Sequence, residues 1–511
     1  MRILYNIFVF LFLATLFQAC KKDLGNYDYT AVNVARTDTT KLSTVYNVEQ
    51  YGNLTISPEI IYTGDTAQLS FEWLAYAKSQ SSYLIGPPIS IFKGSKLNTS
   101  IAISPGNYYL ELKITDKTSG MVSTSRTLLN VLATMETGWL VLHSLNGGSD
   151  VDFIASKNLS TVGIEKRITN LFQTLQGGTM KGEGQMIGYA RRSNSAFNFI
   201  TVGTDQGIKR LNGFSFALLG QDNELFRRPL TAKNFQVHLS NANNELIINN
   251  GILYGQTWSV VQDALYNAPF TGDYSLAPFI VFADYSPFGA LVYDQKYRRF
   301  LYTTQALPNL TLTPMKPSVA SSPAQAFDPS NVNKDMLFMD RGFQKNAYAF
   351  FRDRDGSGTY MYIVDQSKPD AGNVALAAYD MTALPEISSA KLFQVGSLGN
   401  VALYATDRTV YRYDYTGSKL ATVAFNGISA GETITKMKIF KPQLDMAGSS
   451  AEFTTSDNAI LYVATWDGTQ GKLYELSINV ASGAINPTPL KTYTGFGKIK
   501  DMVAKFRGTG L

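Results

Sequence analysis

One cysteine, Cys20, and two histidines, His143 and His238, are the whole supply of thiol and imidazole in this chain. Zinc and haem centres draw on several such ligands, so no metal site and no cofactor are expected. A lone cysteine also excludes an internal disulfide. Charged residues make up only 17% of the sequence and the net charge is +5, with Lys and Arg scattered singly among acidic residues. Nucleic-acid binding calls for a basic stripe or helix; none is visible, and no nucleic-acid partner is expected. Beyond the amino terminus, no apolar run approaches the roughly 20 residues that cross a bilayer. HExxH, GxSxG and phosphate-loop signatures are missing as well, so no catalytic residue is assigned and the ligand-binding residues stay unknown.

Aromatic residues are plentiful, at 12%, with 29 tyrosines and 41 glycines among 511 residues. This composition points to a β-rich extracellular protein. The length exceeds what one ordinary core supports, so two domains or one large repetitive one are expected.

Met1 and Arg2 precede the apolar "ILYNIFVFLFLATLF", and the small Ala19 stands just before Cys20. A basic start, an apolar centre too short for a comfortable membrane span and a small residue at the cut make residues 1–19 a secretory signal. A cysteine directly after the cut is what a bacterial lipoprotein modifies. Each buried methylene contributes about 0.8 kcal/mol and one acyl chain holds only reversibly, so a multiply acylated Cys20 anchors the chain firmly. The partner expected from this segment is the membrane, through lipid on Cys20.

Residues 20–40 carry Gly, Asn, Asp and Thr without periodicity and read as a tether. From 41 to 133 the pattern becomes short alternating strands between turn formers, as in an immunoglobulin-like β-sandwich. In "YYLELKIT", Tyr108, Leu110, Leu112 and Ile114 share the dry side, with Tyr109, Glu111 and Lys113 opposite. Trp73, in mid-strand, is read as a core residue in preference to a ligand-stacking one.

Residues 134–511 repeat a different unit: a strand, a tight polar turn such as "YDQKYRR" or "DRDGSG", then a second strand rich in aromatics. Seven such units recur roughly 35 to 65 residues apart, the range of four-stranded blades, and predict a β-propeller of about seven blades. The closing "KTYTGFGKIKDMVAKFR" has strand character and no partner after it, so it is expected to complete the blade holding Trp139 and remove the exposed edges. The fold class is therefore all-β, a sandwich followed by a propeller.

"GNYDY" after the cysteine, "LSFEWLAY", "PGNYYLELKITDKTSG", "TGWLVLHSLNGGSDVDFI" and "GFGKIKDMVAKF", in that order, resemble the PKD-like family of Bacteroidetes lipoproteins. The resemblance implies a PKD-type sandwich, a propeller-like region and an outer-membrane lipoprotein on the extracellular face. It further implies work beside a TonB-dependent transporter and its lid lipoprotein, in uptake of a glycan or peptide ligand. The expected role is non-catalytic binding; the alternative is a propeller-type polysaccharide hydrolase or lyase.

Asp353 and Asp355 in "RDRDGSG" have the spacing of a calcium loop, but the distal Glu that closes such loops is missing and a hairpin turn is the better reading. Trp466-Asp467 occurs once, without the repeat that gives this dipeptide meaning. Propeller lyases and hydrolases place carboxylates, Tyr or Arg at the central mouth, which makes Asp284, Tyr285, Asp340, Arg341, Asp407 and Arg408 the residues to locate, although loop ion pairs are the plainer expectation. His143 and His238 read as single polar residues on strands.

Overall fold

The computed structural model describes residues 33–506 apart from 79–86, 133–134, 136, 162, 192–197, 242–243, 258–263, 284–287, 305–309, 321–323 and 443–449. The signal segment, Cys20 and most of the tether therefore lie outside the described residues.

Two compact units divide the chain: Met1–Val48, Asn53–Ser100 and Gly106–Asn130 form the first, and Glu49–Gly52, Ile101–Pro105 and Val131–Leu511 the second. The first unit is an antiparallel sandwich. Its main sheet orders the strands Val45–Glu49, Val122–Leu132, Gly106–Asp116, Leu69–Ala77 and Ile89–Lys93, and a smaller sheet pairs Asn53–Ile56 with Leu97–Ser100. The alternation in Gly106–Asp116 holds: Tyr108, Leu110, Leu112 and Ile114 are buried. Glu111 is buried on the other side, under an ion pair with Arg126 at 2.8 Å and a hydrogen bond from the Tyr76 hydroxyl at 3.1 Å. Trp73 is 2% exposed, and its indole N–H donates to the Gly94 carbonyl at 3.0 Å.

Among the described residues the second unit contains seven antiparallel sheets, the blades of a closed propeller. Their innermost strands are Lys498–Lys505, Gly184–Arg191, Phe235–Ser240, Leu276–Phe282, Asp335–Arg341, Leu392–Val395 and Thr433–Ile439, numbered here as blades 1 to 7. Blade 1 is a composite. Lys498–Lys505 pairs with Gly138–Leu145, setting Trp139 opposite Ala504, so the last strand joins the first repeat and closes the ring. Closure leaves neither the first nor the last blade with a bare inner edge.

A propeller blade is covered on both faces by its neighbours, so its inner strands read as nearly unbroken apolar runs. Ala347–Arg352, "AYAFFR", illustrates the rule. Ala347, Ala349 and Phe351 pack with Val281, Leu291 and Tyr293 of blade 4, while Tyr348 and Phe350 pack with Phe393, Val395 and Tyr404 of blade 6. Comparable clusters fill the other seams, and the one joining blades 7, 1 and 2 sets Trp139 edge-on to Tyr462 at 5.1 Å.

Between blades, the backbone N–H groups of inner strands are met by side-chain oxygens of the preceding blade. Gln185 accepts from Phe235 N at 2.8 Å, Gln295 from Met336 N at 3.2 Å, Gln394 from Ile439 N at 3.0 Å and Asp501 from Ile187 N at 3.2 Å. A buried N–H without a partner is costly, so these bonds fix how far each blade is shifted against the next.

Candidate functional site at the propeller axis

Seven inner strands running the same way give the axis two mouths, one where the strands begin and one where they end. At the first, Lys500 pairs with Glu183 at 2.8 Å, Lys391 with Asp407 at 2.7 Å, and Arg408 donates to the Glu432 carbonyl at 3.1 Å. The Glu432 carboxylate is buried, which alone would raise its pKa. Lys472, the Thr465 hydroxyl at 2.7 Å and the Tyr474 hydroxyl at 3.0 Å reverse this and hold it below the usual value.

Midway along the wall, Asp501 of blade 1 lies between two lysines of blade 7, Lys436 at 2.8 Å and Lys438 at 3.6 Å. Its side chain is 14% exposed. Burial pushes the carboxyl up, but the two ammonium groups and the Ile187 N–H outweigh it and bring the pKa down to about 2. Across the ring the wall is aromatic: Phe279 meets Phe338 edge-on at 5.4 Å, and Phe338 lies 6.4 Å from Phe393.

Where the strands end, Lys441 of blade 7 reaches past blade 6. Its side chain is 6% exposed, and the ammonium donates to Asp340 Oδ2 at 2.6 Å and to the carbonyls of Arg341 at 3.1 Å and Val395 at 3.3 Å. Blades 5, 6 and 7 are thus tied by one cation. Lys505 is fully buried; it donates to the Met135 carbonyl and lies over the rings of Tyr189 at 5.6 Å and Phe214 at 5.3 Å.

The residues singled out in the sequence are separated by this geometry. Asp340 and Arg341 end an inner strand, whereas Asp407 and Arg408 occupy a turn at the opposite mouth, and both aspartates are held in ion pairs. Asp284 and Tyr285 lie outside the described residues. In the "RDRDGSG" turn, Asp353 is bound by Lys334 and by the Tyr360 hydroxyl at 2.9 Å, and Asp355 accepts from Ser357 N at 3.0 Å, the bonding of a hairpin. Asp467 likewise caps its own turn, accepting from Thr469 N at 2.8 Å and Gln470 N at 2.7 Å.

The two histidines lie on strands but are not isolated. Gly497 N donates to His143 Nδ1 at 3.2 Å, leaving Nε2 to donate to Asp152 at 3.0 Å, and Arg167 completes the carboxylate at 2.7 Å. His238 Nε2 bonds Glu245 Oε1 at 2.8 Å inside a cluster sealed between blades 2 and 3, with Arg210 at 2.7 Å and with Gln256 and Tyr266. Glu245 is fully buried; its neighbours overcome the cost of burial and bring its pKa to about 2. Sealed from solvent, this cluster has the geometry of a structural brace. Lys436, Lys438, Lys441 and Asp501 escaped the sequence reading. Their signal was the lysine alternation of "TKMKIFK" and "KIKDMVAK" inside strands with apolar neighbours.

No curated protein matches the sequence. Among solved structures, a quinonprotein alcohol dehydrogenase-like protein from Bacteroides thetaiotaomicron VPI-5482 is similar in fold, with TM-score 0.52 and 12% identity over 92% of this chain and 98% of that one. A looser match is the WD40 domain of SCAP from fission yeast, with TM-score 0.31 and 7% identity over 70% of this chain and 88% of that one. The sequence resemblance has its counterpart in a family match: residues 20–184, from Cys20 through the sandwich to the first residue of the inner strand of blade 2, match the PKD-like family.

Proposed function

We propose that this protein is a non-catalytic binding or accessory component of an outer-membrane uptake system, anchored through lipid on Cys20 and facing the cell exterior. Its partners are a TonB-dependent transporter and that transporter's lid lipoprotein, and its cargo is a glycan or a peptide. The observation that carries the non-catalytic reading is the state of the carboxylates around the axis. Asp340, Asp407, Glu432 and Asp501 are each engaged by a lysine. A general acid must hold its proton near neutral pH, and Asp501, with its pKa at about 2, and Glu432, held below the usual value, are displaced the other way.

The address is tested by metabolic labelling with a palmitate analogue: the wild-type chain takes label, and a Cys20→Ser chain that still takes it refutes the anchor. The role is tested with purified protein and candidate oligosaccharides and peptides. Saturable binding without product formation is the expected result; turnover that disappears in Asp340→Asn with the fold intact points to the hydrolase or lyase instead.

A further inference from the structure

We propose that blade 5 carries a binding site for a neutral polyhydroxylated ligand, a glycan of one or two sugar rings, in a cavity of about 320 Å³ at its strand-end face. The proposal rests on the binding reading above and gives it a place and a ligand class. The walls are two turns of the blade: Gln344, Lys345 and Asn346 on one side, Asp365, Gln366 and Ser367 on the other.

Several side chains of these turns are not spent on the fold. Elsewhere in the propeller, polar turn residues saturate their own backbone: Asp414 accepts from the N–H groups of Gly417 and Ser418, Asp467 from Thr469 and Gln470, and Asn479 from Ala481 and Ser482. Around the cavity, among the described residues, the amides of Gln344 and Asn346 and the hydroxyl of Ser367 make no hydrogen bond, and Asp365 uses one carboxylate oxygen, on Ser367 N at 2.8 Å. Gln366 is 3% exposed; its Nε2 donates to the Lys345 carbonyl at 2.6 Å, tying the turns together, while its Oε1 has no donor. Buried acceptors without donors are rare in folded proteins and ask for an explanation.

Backbone geometry points the same way. Gln344 and Lys345 stand in succession at φ 55° and φ 64°, the left-handed region that glycine occupies without strain. Two such residues in succession cost backbone strain that the surrounding structure must hold, as it does at ligand clamps. The outward side chain of Leu376, 50% exposed, adds an apolar ledge.

The chemistry selects the ligand class. Amides both donate and accept, a hydroxyl does the same, and the free carboxylate oxygen accepts, which matches the paired donor and acceptor character of vicinal sugar hydroxyls. Leu376 suits the apolar face of a pyranose ring. The walls carry one carboxylate, Asp365, and one lysine, Lys345, so an anionic ligand gains no net charge attraction over a neutral one, and a peptide side chain would find one leucine and no enclosed apolar pocket.

The test titrates the full-length protein calorimetrically with maltose, cellobiose and xylobiose, using digalacturonate and Ala-Ala as controls. At least one neutral disaccharide is expected to bind, and Asp365→Ala and Gln344→Gly are each expected to weaken it by about tenfold or more. Gln344→Gly removes the amide while relieving the left-handed backbone, so the loss cannot be assigned to unfolding when the thermal transition is retained. The proposal is overturned if no neutral disaccharide binds, if binding survives both changes, or if a control binds more tightly. Binding that survives both changes removes this site and leaves the binding role standing. Turnover of a bound disaccharide overturns the non-catalytic role and leaves the site.

Discussion

Ring closure depends on Lys498–Lys505, and Asp501 is where that dependence can be measured. Its carboxylate neutralises Lys436 and Lys438 and accepts the Ile187 N–H, so one side chain joins blades 7, 1 and 2. The carboxyl pKa falls from 3.8 to about 2 on folding, and a shift of that size corresponds to about 2–3 kcal/mol of stability. Because the folded value is the lower one, this contribution is complete above the unfolded pKa near 3.8 and is lost as pH falls through 2. Asp501→Asn removes it and leaves two ammonium groups, each about one-third exposed, against a neutral amide. Partial exposure softens the penalty, so the expected loss is about 2–3 kcal/mol at pH 7, below the range for a fully buried pair. Urea denaturation of both proteins at pH 7, 4 and 2 is the assay. The wild-type advantage should stand at pH 7 and pH 4 and shrink toward zero near pH 2. Hydrogen exchange should show the Lys498–Lys505 amides losing protection first in the variant. Equal urea midpoints at pH 7, or a difference that persists unchanged at pH 2, would refute the closure role.

Two further perturbations probe the seam between blades 2 and 3. A Cβ on Gly188 would sit 2.0 Å from His238 Nδ1, so Gly188→Ala should cost about 1–3 kcal/mol as an overpacked core does; the cost should fall in a His238→Ala background, and a denaturation cycle that finds the two changes additive would contradict the contact. Glu245→Gln leaves the buried Arg210 guanidinium without its carboxylate and should lower stability by about 3–5 kcal/mol, read as a drop in urea midpoint; a change under about 0.5 kcal/mol, the usual size for an uninvolved surface position, would remove the brace.

How much of this was legible in advance differs with the range of the interaction. Strands buried on both faces announce themselves in runs such as "AYAFFR", hairpins in turns such as "RDRDGSG", and the unpartnered last strand in its own apolar alternation. These are properties of ten or so consecutive residues. The pairing of Lys441 with Asp340 joins residues about a hundred positions apart, and which face a lysine takes depends on local parity. Bulges at Thr435, between Ile434 and Lys436, and at Lys500, between Ile499 and Asp501, shift that parity by one residue. A one-residue shift moves every following side chain to the other face, so strict alternation could not have sent Lys436 and Lys438 toward Asp501. The blade 5 cavity was hidden for a related reason: it is walled by two turns some twenty residues apart whose side chains are ordinary for loops and stand out only in how many of their polar atoms, those of Gln344, Asn346 and Ser367 among them, make no bond among the described residues.

The limits of the family match have a structural meaning within the second unit. The match ends at Gly184, after Gly138–Leu145, Gly148–Ala155, Lys166–Ile168 and Met180–Lys181 have all joined the sheet of blade 1. The innermost strand arrives only with Lys498–Lys505, more than three hundred residues later. Without it, Gly138–Leu145 would present the open edge of "GWLVLHSL", buried at all but its last position in the closed ring, and an exposed apolar edge strand is a template for unwanted pairing. Trp139 would lose Tyr462 and Phe440, which belong to blade 7 and the turn after its inner strand. The matched segment beyond the sandwich is therefore part of a blade whose stability belongs to the whole ring. Closure joins the two ends of the propeller, so "TGWLVLHSLNGGSDVDFI" and "GFGKIKDMVAKF" lie at opposite ends of the second unit yet side by side in one sheet.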